Sequence, residues 1–210
     1  MKYILNCILI GNSICGKSSF SKVLTTGKNI IDCFVPTIGV DVNYKSFILE
    51  TNEYRVKFWD LSGNHRFISI LKPYIEMADI ILLFYSYDNY ISRNDLNIWE
   101  DLIKLHNKNA KIYLIGSWLD KKYSKNSWYN KNELTILKRR FPYNLYEINC
   151  KKFNQVNTTI LSILKDYKLT IKDNKDNICN KKSIILNTKT SDDSLNRNCF
   201  YSWLSCLNPK

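Results

Sequence analysis

Short apolar runs alternate with segments of helical periodicity over most of the 210-residue chain. The apolar runs are typical of buried strands, and the periodic segments are typical of amphipathic helices. The runs predict strands at 3–10, 41–50, 54–60, 80–85, 111–116 and 144–148. The periodic segments predict helices at 17–24, 68–77, 94–106, 132–140 and 155–167. This alternation predicts an α/β fold with a six-stranded, mostly parallel sheet and helices on both faces.

The composition changes near Thr170. Lys, Asp, Asn, Ser and Thr dominate from there to Arg197, and such a segment cannot bury enough apolar surface to fold by itself. A chain of this length suits one well-buried domain and is too short for two substantial ones. We therefore expect one globular domain, residues 1–169, followed by a flexible, hypervariable C-terminal tail, residues 170–210.

A glycine-bounded loop follows directly on the first predicted strand. It fits the pattern G-x-x-x-x-G-K-S and consists of Gly11, Asn12, Ser13, Ile14, Cys15, Gly16, Lys17 and Ser18. Between a strand and a helix, such a loop turns successive backbone N–H groups toward one point, where the positive end of the helix dipole also favours polyphosphate. Lys17 would reach the β- and γ-phosphates, and Ser18 would ligate Mg²⁺. The motif predicts a nucleoside triphosphate site at the carboxyl ends of the strands.

Two later segments supply groups that a nucleotide-sensing switch requires. Thr37, in the segment 36–41, offers a second hydroxyl ligand for Mg²⁺. Asp60 ends the third predicted strand and offers a carboxylate to the metal, and Gly63 offers a backbone N–H to the γ-phosphate. The predicted phosphate-sensing groups therefore lie on two separate loops.

With these motifs in this order, the chain resembles the Ras-superfamily small GTPases. The strings at 38–41 (Ile-Gly-Val-Asp), 59–60 (Trp-Asp) and 66–67 (Arg-Phe) are most similar to the Rab branch, and the resemblance extends from residue 2 to about residue 167. It implies the P-loop NTPase fold of small G proteins, GTP and GDP as ligands with Mg²⁺, and hydrolysis of GTP to GDP and phosphate. Its implied partners are effector, exchange-factor and GTPase-activating proteins. Valine replaces the usual phenylalanine at the first of three effector-facing positions, which are Val42, Trp59 and Tyr74.

The first guanine-recognition motif of the family, N-K-x-D, is altered in this chain. Ser117 replaces the asparagine, which in the family ties the base loop to the P-loop. Trp118 replaces the lysine, whose stem covers the base in the family, and Asp120 is kept. The Asp120 carboxylate can accept two hydrogen bonds from guanine that adenine cannot offer, so we expect guanine selectivity to survive. The two replacements put the affinity for nucleotide in doubt.

The second guanine-recognition motif, E-T-S-A-K in the family, falls at residues 147–151. Only its first and last residues match in identity. The resemblance places the backbone N–H of Cys150 at guanine O6, with Lys151 beside it. Any side chain at 150 permits this contact if the turn forms.

Hydrolysis depends on the residue after Gly63, which in the family is usually a glutamine that orients the attacking water. Here it is Asn64, whose carboxamide is drawn back by one methylene, or about 1.5 Å. A misplacement of about 1 Å at a reacting centre can cost on the order of 10²-fold in rate, so we expect Asn64 to support only slow hydrolysis. Ile14 occupies a position where the family has glycine or another small residue. A β-branched side chain resists left-handed backbone, so either the loop is reshaped or it tolerates strain.

The net charge of +12 and the pI of about 9.3 would suit nucleic acid or an anionic membrane as a partner. The lysines are scattered, however, and no nucleic-acid-binding module is recognisable, so we expect no nucleic-acid partner. Seven cysteines, an odd number without C-x-x-C pairs, indicate free thiols in a reducing compartment and argue against a zinc site. The expected location is cytoplasmic.

The end of the predicted tail, 199–207, is abruptly aromatic and includes Cys199, Trp203 and Cys206. The terminus fits neither the C-a-a-X form nor a terminal cysteine pair, so prenylation is not supported. Two interpretations stay open. The segment is either a peripheral membrane anchor of a non-prenyl kind, with Cys199 or Cys206 acylated, or it folds back on the domain.

These features lead to the hypothesis of a Rab-like GTP-binding molecular switch with slow hydrolysis, which recruits effectors in vesicle or membrane traffic. The alternative is a degenerate GTPase that acts as a binding scaffold with little or no hydrolysis. A P-loop kinase or ATPase is disfavoured by Asp120 and by the lack of an arginine-rich lid in the sequence.

Overall fold

The computed structural model describes residues 2–29, 36–117 and 131–187. By its internal packing the chain divides into two units, Met1–Tyr167 and Lys168–Lys210. The described part of the second unit, residues 168–187, belongs to a single helix that begins at Phe153. The candidate site lies in the first unit.

Strands and helices alternate along the first unit as the sequence predicts. The strands are β1 (Lys2–Gly11), β2 (Val40–Leu49), β3 (Asn52–Leu61), β4 (Ile80–Ser86), β5 (Lys111–Ser117) and β6 (Asn144–Ile148). The helices are α1 (Lys17–Thr26), α2 (Ile68–Glu76), α3 (Tyr90–Asn94), α4 (Leu96–His106), α5 (Lys131–Arg140) and α6 (Phe153–Asn187), with a 3₁₀ turn at His65–Phe67 before α2.

The six strands form one sheet in the order β2-β3-β1-β4-β5-β6. Only the β2–β3 pair is antiparallel, and the other four pairs are parallel. Strand β4 is buried along its whole length, which is why its sequence is a continuous apolar run rather than an alternating one. The predicted fold class, a mostly parallel six-stranded α/β sheet, is confirmed.

Helices cover both faces of this sheet, and alternate residues of β1 point to opposite faces. Cys7 and Leu9 belong to the core that packs against α1 and α6, whereas Ile8 and Ile10 belong to the core that packs against α2, α4 and α5. This period-two division fixes the register of β1. It also places the loop that follows Gly11 at the carboxyl end of a central strand.

Two predicted helices differ from the observed ones. The helix predicted at 94–106 corresponds to α4, and the short helix α3 that precedes it and meets it at Asp95 was not predicted. The α3 helix begins at Tyr90 because the Asn89 side chain caps it, accepting hydrogen bonds from the backbone N–H groups of Ile91 and Ser92.

Helix α6 continues to Asn187, past the end predicted at residue 167 and into the segment predicted as tail. Its sequence contains neither glycine nor proline. Propagation of an existing helix costs little per residue when no breaker intervenes, so polar composition alone does not end it. The flexibility of the tail stays a prediction, and its aromatic end with Cys199, Trp203 and Cys206 lies outside the described residues.

Candidate nucleotide-binding site

The predicted P-loop connects β1 to α1 and depends on its two glycines. Gly11 has φ 138°, and a Cβ there would lie 2.3 Å from the carbonyl oxygen of Phe84 on β4. Gly16 has φ 87° and stands at the N-cap of α1, where a Cβ would approach Cys150 to 3.0 Å. Both positions therefore need glycine for conformation and for space. The loop packs against β4 on one side and the 149–152 turn on the other.

Ile14 adopts the left-handed conformation that glycine would take at this position, with φ 64°, and its side chain is 52% exposed. Of the two alternatives that the sequence left open, the structure shows the strained one. The loop carries a β-branched residue in a region that costs about 1–2 kcal/mol for residues with a Cβ.

Lys17 is folded inward within the loop. Its ammonium group donates to the carbonyl oxygens of Gly11 at 2.8 Å and Asn12 at 2.7 Å, and the residue is 5% exposed. Burial lowers the pKa of the Lys17 amine. An ammonium group has three N–H donors, so one remains for a phosphate oxygen, whose negative charge would favour the charged form.

Ser18, Thr37 and Asp60, the three predicted metal ligands, converge although they come from three separate segments. The Thr37 hydroxyl lies 2.8 Å from the Ser18 hydroxyl and donates to Asp60 Oδ2 at 2.9 Å. Asp60 is 1% exposed, and its Oδ1 atom has no hydrogen-bond partner in the described part of the chain. Burial raises the pKa of the Asp60 carboxyl, against the opposing effects of the nearby Ser18 hydroxyl, the Lys17 charge and the Thr37 hydrogen bond.

This oxygen cluster fits Mg²⁺. Carboxylate and hydroxyl oxygens are the hard ligands that this ion takes, and a buried carboxylate oxygen without a partner is costly unless a cation or donor reaches it. Within residues 2–29, 36–117 and 131–187, no group of three or more His, Cys, Asp or Glu side chains is arranged to hold a metal. The mixed carboxylate and hydroxyl cluster is therefore the candidate metal position.

The loop after β3 closes tightly on the P-loop. A Cβ at Gly63 would lie 2.2 Å from the backbone nitrogen of Ser13, so only glycine can occupy this position without displacing the loop. Asn64, the predicted catalytic residue, is exposed and has its carboxamide oxygen engaged. That oxygen accepts a hydrogen bond of 3.0 Å from the backbone N–H of Arg66 and so caps the 3₁₀ turn. Asparagine is well suited to this local role.

On the base side, Ser117 ends β5 and contacts the P-loop directly. Its fully buried hydroxyl donates to the carbonyl oxygen of Cys15 at 2.7 Å. The serine thus joins the first base loop to the P-loop, which is the role that the resemblance gives to the missing asparagine. Trp118 and Asp120 lie outside the described residues.

The predicted second base loop, with Cys150 and Lys151, forms a turn, and the predicted contact with guanine O6 depends on such a turn. Asn149 stabilises it, because its side-chain oxygen accepts from the Lys151 N–H at 2.9 Å while its own backbone N–H donates to Gln155 at 2.7 Å. The Cys150 thiol is fully buried against Gly16, and burial raises its pKa. This role of Asn149 was not predicted, although asparagine commonly stabilises such Asx turns.

Further residues at the site carry no motif and were also missed. The side chain of Asn12 is held by Asp95 and Trp99, which stand at the start of α4 and one turn along it. His65, from the loop after β3, contacts the same two residues. They are distant from the P-loop in sequence, so no local pattern could have revealed them.

The three predicted effector-facing residues lie together. Val42 and Trp59 are direct partners across the β2–β3 pair, and the Trp59 ring contacts Tyr74 of α2 at 5.3 Å between centroids. The Trp59 indole N–H donates to the Asn6 side chain at 3.2 Å, and Asn6 also donates to the carbonyl oxygen of Met77 at the end of α2. The hydrogen bond to Asn6 of β1 therefore fixes the orientation of the Trp59 ring.

A glycine-bounded loop with a buried lysine, opening a helix at the carboxyl end of a parallel strand, defines the class of P-loop nucleotide-binding proteins. Comparison with known proteins then narrows the class. The model of the Ras family matches residues 6–169, and the chain belongs to that family of small GTPases, which bind GTP and GDP, typically with Mg²⁺.

Its relatives include several Rab proteins. The chain is 28% identical over 176 residues to the Ras-related protein RABE1e of Arabidopsis thaliana, which covers 82% of this chain and 80% of the relative. It is 26% identical to human Ras-related protein Rab-3B over 90% of this chain and 80% of that one. The match to human Rab-3A, 29% identical, covers 56% of this chain and about half, 54%, of the relative. In the described residues, no helix combines the length and the apolar character needed to cross a membrane.

Proposed function

We propose that this protein is a Rab-like switch that binds GTP with Mg²⁺, hydrolyses it slowly, and recruits effector proteins in vesicle or membrane traffic while GTP is bound. One observation carries the nucleotide-binding part of the proposal. Ser18, Thr37 and Asp60 converge beside the buried ammonium group of Lys17, and one buried Asp60 oxygen has no partner among the described residues. Triphosphate and a divalent cation together would satisfy these groups.

The phosphate side works by position and charge. Backbone N–H groups of the P-loop would receive the phosphates, Lys17 would place its charge on the β- and γ-phosphates, and Gly63 would offer its N–H to the γ-phosphate. Mg²⁺, when bound through Ser18, Thr37 and Asp60, neutralises negative charge on the phosphate oxygens. The chain supplies little covalent chemistry, as is usual for phosphoryl transfer.

On the base side we assign guanine selectivity to Asp120 and the O6 contact to the turn at Cys150 and Lys151, with Trp118 next to the base. The Ser117–Cys15 hydrogen bond supports this assignment, because it holds the first base loop at the P-loop without the usual asparagine.

Slow hydrolysis follows from Asn64. Its carboxamide is shorter than that of glutamine, and its oxygen is already bonded to the Arg66 N–H. To orient an attacking water, the side chain would have to give up this cap, typically worth about 1 kcal/mol. The same observation favours the second candidate, a degenerate GTPase that binds nucleotide and acts as a scaffold with little or no turnover.

Effector recruitment is assigned to Val42, Trp59 and Tyr74, supported by their contact in the structure. Exchange-factor and GTPase-activating proteins are the expected regulators. The assignment to membrane traffic rests on the Rab names of relatives that are 26–29% identical. Peripheral membrane association would use the tail residues Cys199 or Cys206 by a non-prenyl route.

The nucleotide content of the purified protein tests the proposal. Denaturation followed by chromatography is expected to release guanine nucleotide in near-equimolar amount, and chelation of Mg²⁺ beforehand is expected to reduce it. A protein that contains no nucleotide and gains no thermal stability from GTP or GDP would overturn the switch. Binding without measurable single-turnover hydrolysis would select the scaffold candidate.

A further inference from the structure

His65 contacts residues of helix α4, although its side chain is 45% exposed. Its imidazole Nε2 lies 3.3 Å from Asp95 Oδ2, and its ring stacks on the Trp99 indole at 5.2 Å between centroids and 24° between planes. Trp99 is fully buried, so it provides a fixed surface. The residue directly after Asn64 is therefore attached to the core of the domain.

The same two partners also hold the P-loop. Asn12 donates from its amide to Asp95 Oδ2 at 2.7 Å, and its amide oxygen accepts from the Trp99 indole N–H at 2.5 Å. Both ends of the Asn12 side chain are thus engaged, and the residue is 8% exposed. Asp95 Oδ2 contacts both the P-loop and the loop after β3, residues 62–67, which we call the second switch loop.

Asp95 occupies the N-cap position of α4, where an aspartate ordinarily accepts from the first N–H groups of its own helix. It makes no such side-chain bond here. Its carboxylate instead bonds Asn12 and His65, which belong to two other segments. The cap interaction has been given up for a tertiary connection.

None of these contacts uses an atom of a nucleotide. None of them is therefore removed directly when GTP becomes GDP, whereas a contact with the γ-phosphate exists only with GTP. We infer that His65 is a positioning residue that holds the second switch loop, with Gly63 and Asn64, closed on the P-loop in both nucleotide states. The release of that loop which accompanies loss of the γ-phosphate in small GTPases is thereby suppressed in this chain. This inference rests on the proposed function for its nucleotide dependence, but the anchoring itself does not.

The expected size follows from the contacts. A partly exposed contact between an imidazole and a carboxylate and an aromatic stack are each worth about a factor of a few in an equilibrium constant, so their joint loss should raise the open population about five- to thirtyfold. Such a change is measurable by amide hydrogen exchange in the segment 62–70, which contains the loop and the start of α2.

The test compares wild type with His65→Ala, and uses His106→Ala as the matched control. His106 is the other histidine of the chain and pairs with Glu76 at the far end of α4. Each protein is measured with GDP and Mg²⁺, with a non-hydrolysable GTP analogue and Mg²⁺, and without nucleotide. Wild type and His106→Ala are expected to protect 62–70 similarly with both nucleotides. His65→Ala is expected to lose protection with GDP and to keep most of it with the analogue.

A large GDP-to-GTP difference already present in wild type, and unchanged by His65→Ala, would overturn the inference. The measurement without nucleotide distinguishes failure of this inference from failure of the proposed function. In that condition His65→Ala should increase exchange in 62–70 whether or not the protein can bind nucleotide. Equal exchange of wild type and His65→Ala without nucleotide would also overturn it. His65→Gln serves as a second variant. It keeps a hydrogen-bond donor but cannot stack, and it should give an intermediate result.

Discussion

The candidate metal position and the second switch loop differ in whether their polar side chains already have partners. Around Asp60, a buried carboxylate oxygen lacks a partner in the described part of the chain, and burial raises the carboxyl pKa. In the loop at 62–67, the Asn64 oxygen caps a turn and the His65 ring is paired and stacked. On the proposed function, ligand binding would supply a partner to the buried Asp60 oxygen, whereas the loop at 62–67 would have to give up contacts in order to act in hydrolysis.

The largest effect is expected from Lys17→Ala, which removes the charge from the phosphate site. Charge-assisted hydrogen bonds are worth about 1.5–3 kcal/mol each, so the loss of contacts to two phosphates should weaken GDP binding by about 100-fold or more. Displacement of a fluorescent GDP analogue measures it. Lys22→Ala, at an exposed position on the same helix, should bind as wild type does. Equal affinity of the Lys17 variant and wild type would show that the P-loop does not bind nucleotide.

The Asp60→Asn variant tests whether the candidate metal position is costly without its ligand. It should abolish the Mg²⁺ dependence of nucleotide affinity. In protein without nucleotide or metal at pH 7, it should raise the free energy of unfolding by about 1 kcal/mol, because it removes a buried charge with an unpartnered oxygen. Asp101→Asn, exposed on α4, is the control. A clear loss of stability in the ligand-free Asp60 variant would contradict this description.

The stability difference between Asp60→Asn and wild type should also depend on pH. The folded-state pKa of Asp60 is raised, so the folded protein takes up this proton at a higher pH than the unfolded chain does. Wild-type stability therefore falls as the pH rises from the ordinary aspartate value through the raised one. The advantage of the variant should shrink as the pH is lowered from 7 toward 4, as measured by urea unfolding at each pH.

A smaller effect is expected in the second switch loop. Asn64→Gln extends the carboxamide by one methylene and removes the cap, and single-turnover hydrolysis of GTP should rise by up to about tenfold with little change in affinity. Asn64→Asp keeps a capping acceptor but lacks the amide donor, so it should be no faster than wild type. If all three proteins are equally slow, Asn64 does not limit the rate.

The smallest effect concerns the strain in the P-loop. Ile14→Gly relieves a left-handed conformation that costs about 1–2 kcal/mol but adds unfolded-state entropy worth about 0.5–1 kcal/mol. The net gain in unfolding free energy should be between about 0 and 1.5 kcal/mol. Glu50→Gly is the matched control, because Glu50 is the other non-glycine residue with positive φ in the described residues and lies away from the P-loop, in the β2–β3 turn. Only the Ile14 variant should also change nucleotide affinity.

Much of this molecule could be predicted from sequence because the signals are local. Apolar runs gave the sheet, and the motif spacing brought Ser18, Thr37 and Asp60 to one point. The features that were not predicted are of two kinds. Some are contacts between residues far apart in sequence, and others are helix boundaries that the sequence allows but does not specify. The contacts of Asn12 with Asp95 and Trp99 span more than eighty residues, and no periodicity encodes them. The break at Asp95 does not interrupt the apolar pattern, and α6 extends because nothing in its sequence stops it.

Ser117 shows how the spacing between two loops limits the side chain that fits between them. Its short side chain reaches the Cys15 carbonyl oxygen only because β5 and the P-loop are close, and a Cβ at Gly16 would lie 3.5 Å from the Ser117 Cβ. An asparagine at 117 is longer by about 1.5 Å, so it would need that gap to widen. An asparagine at 117 would therefore require a change of loop spacing as well as of side chain.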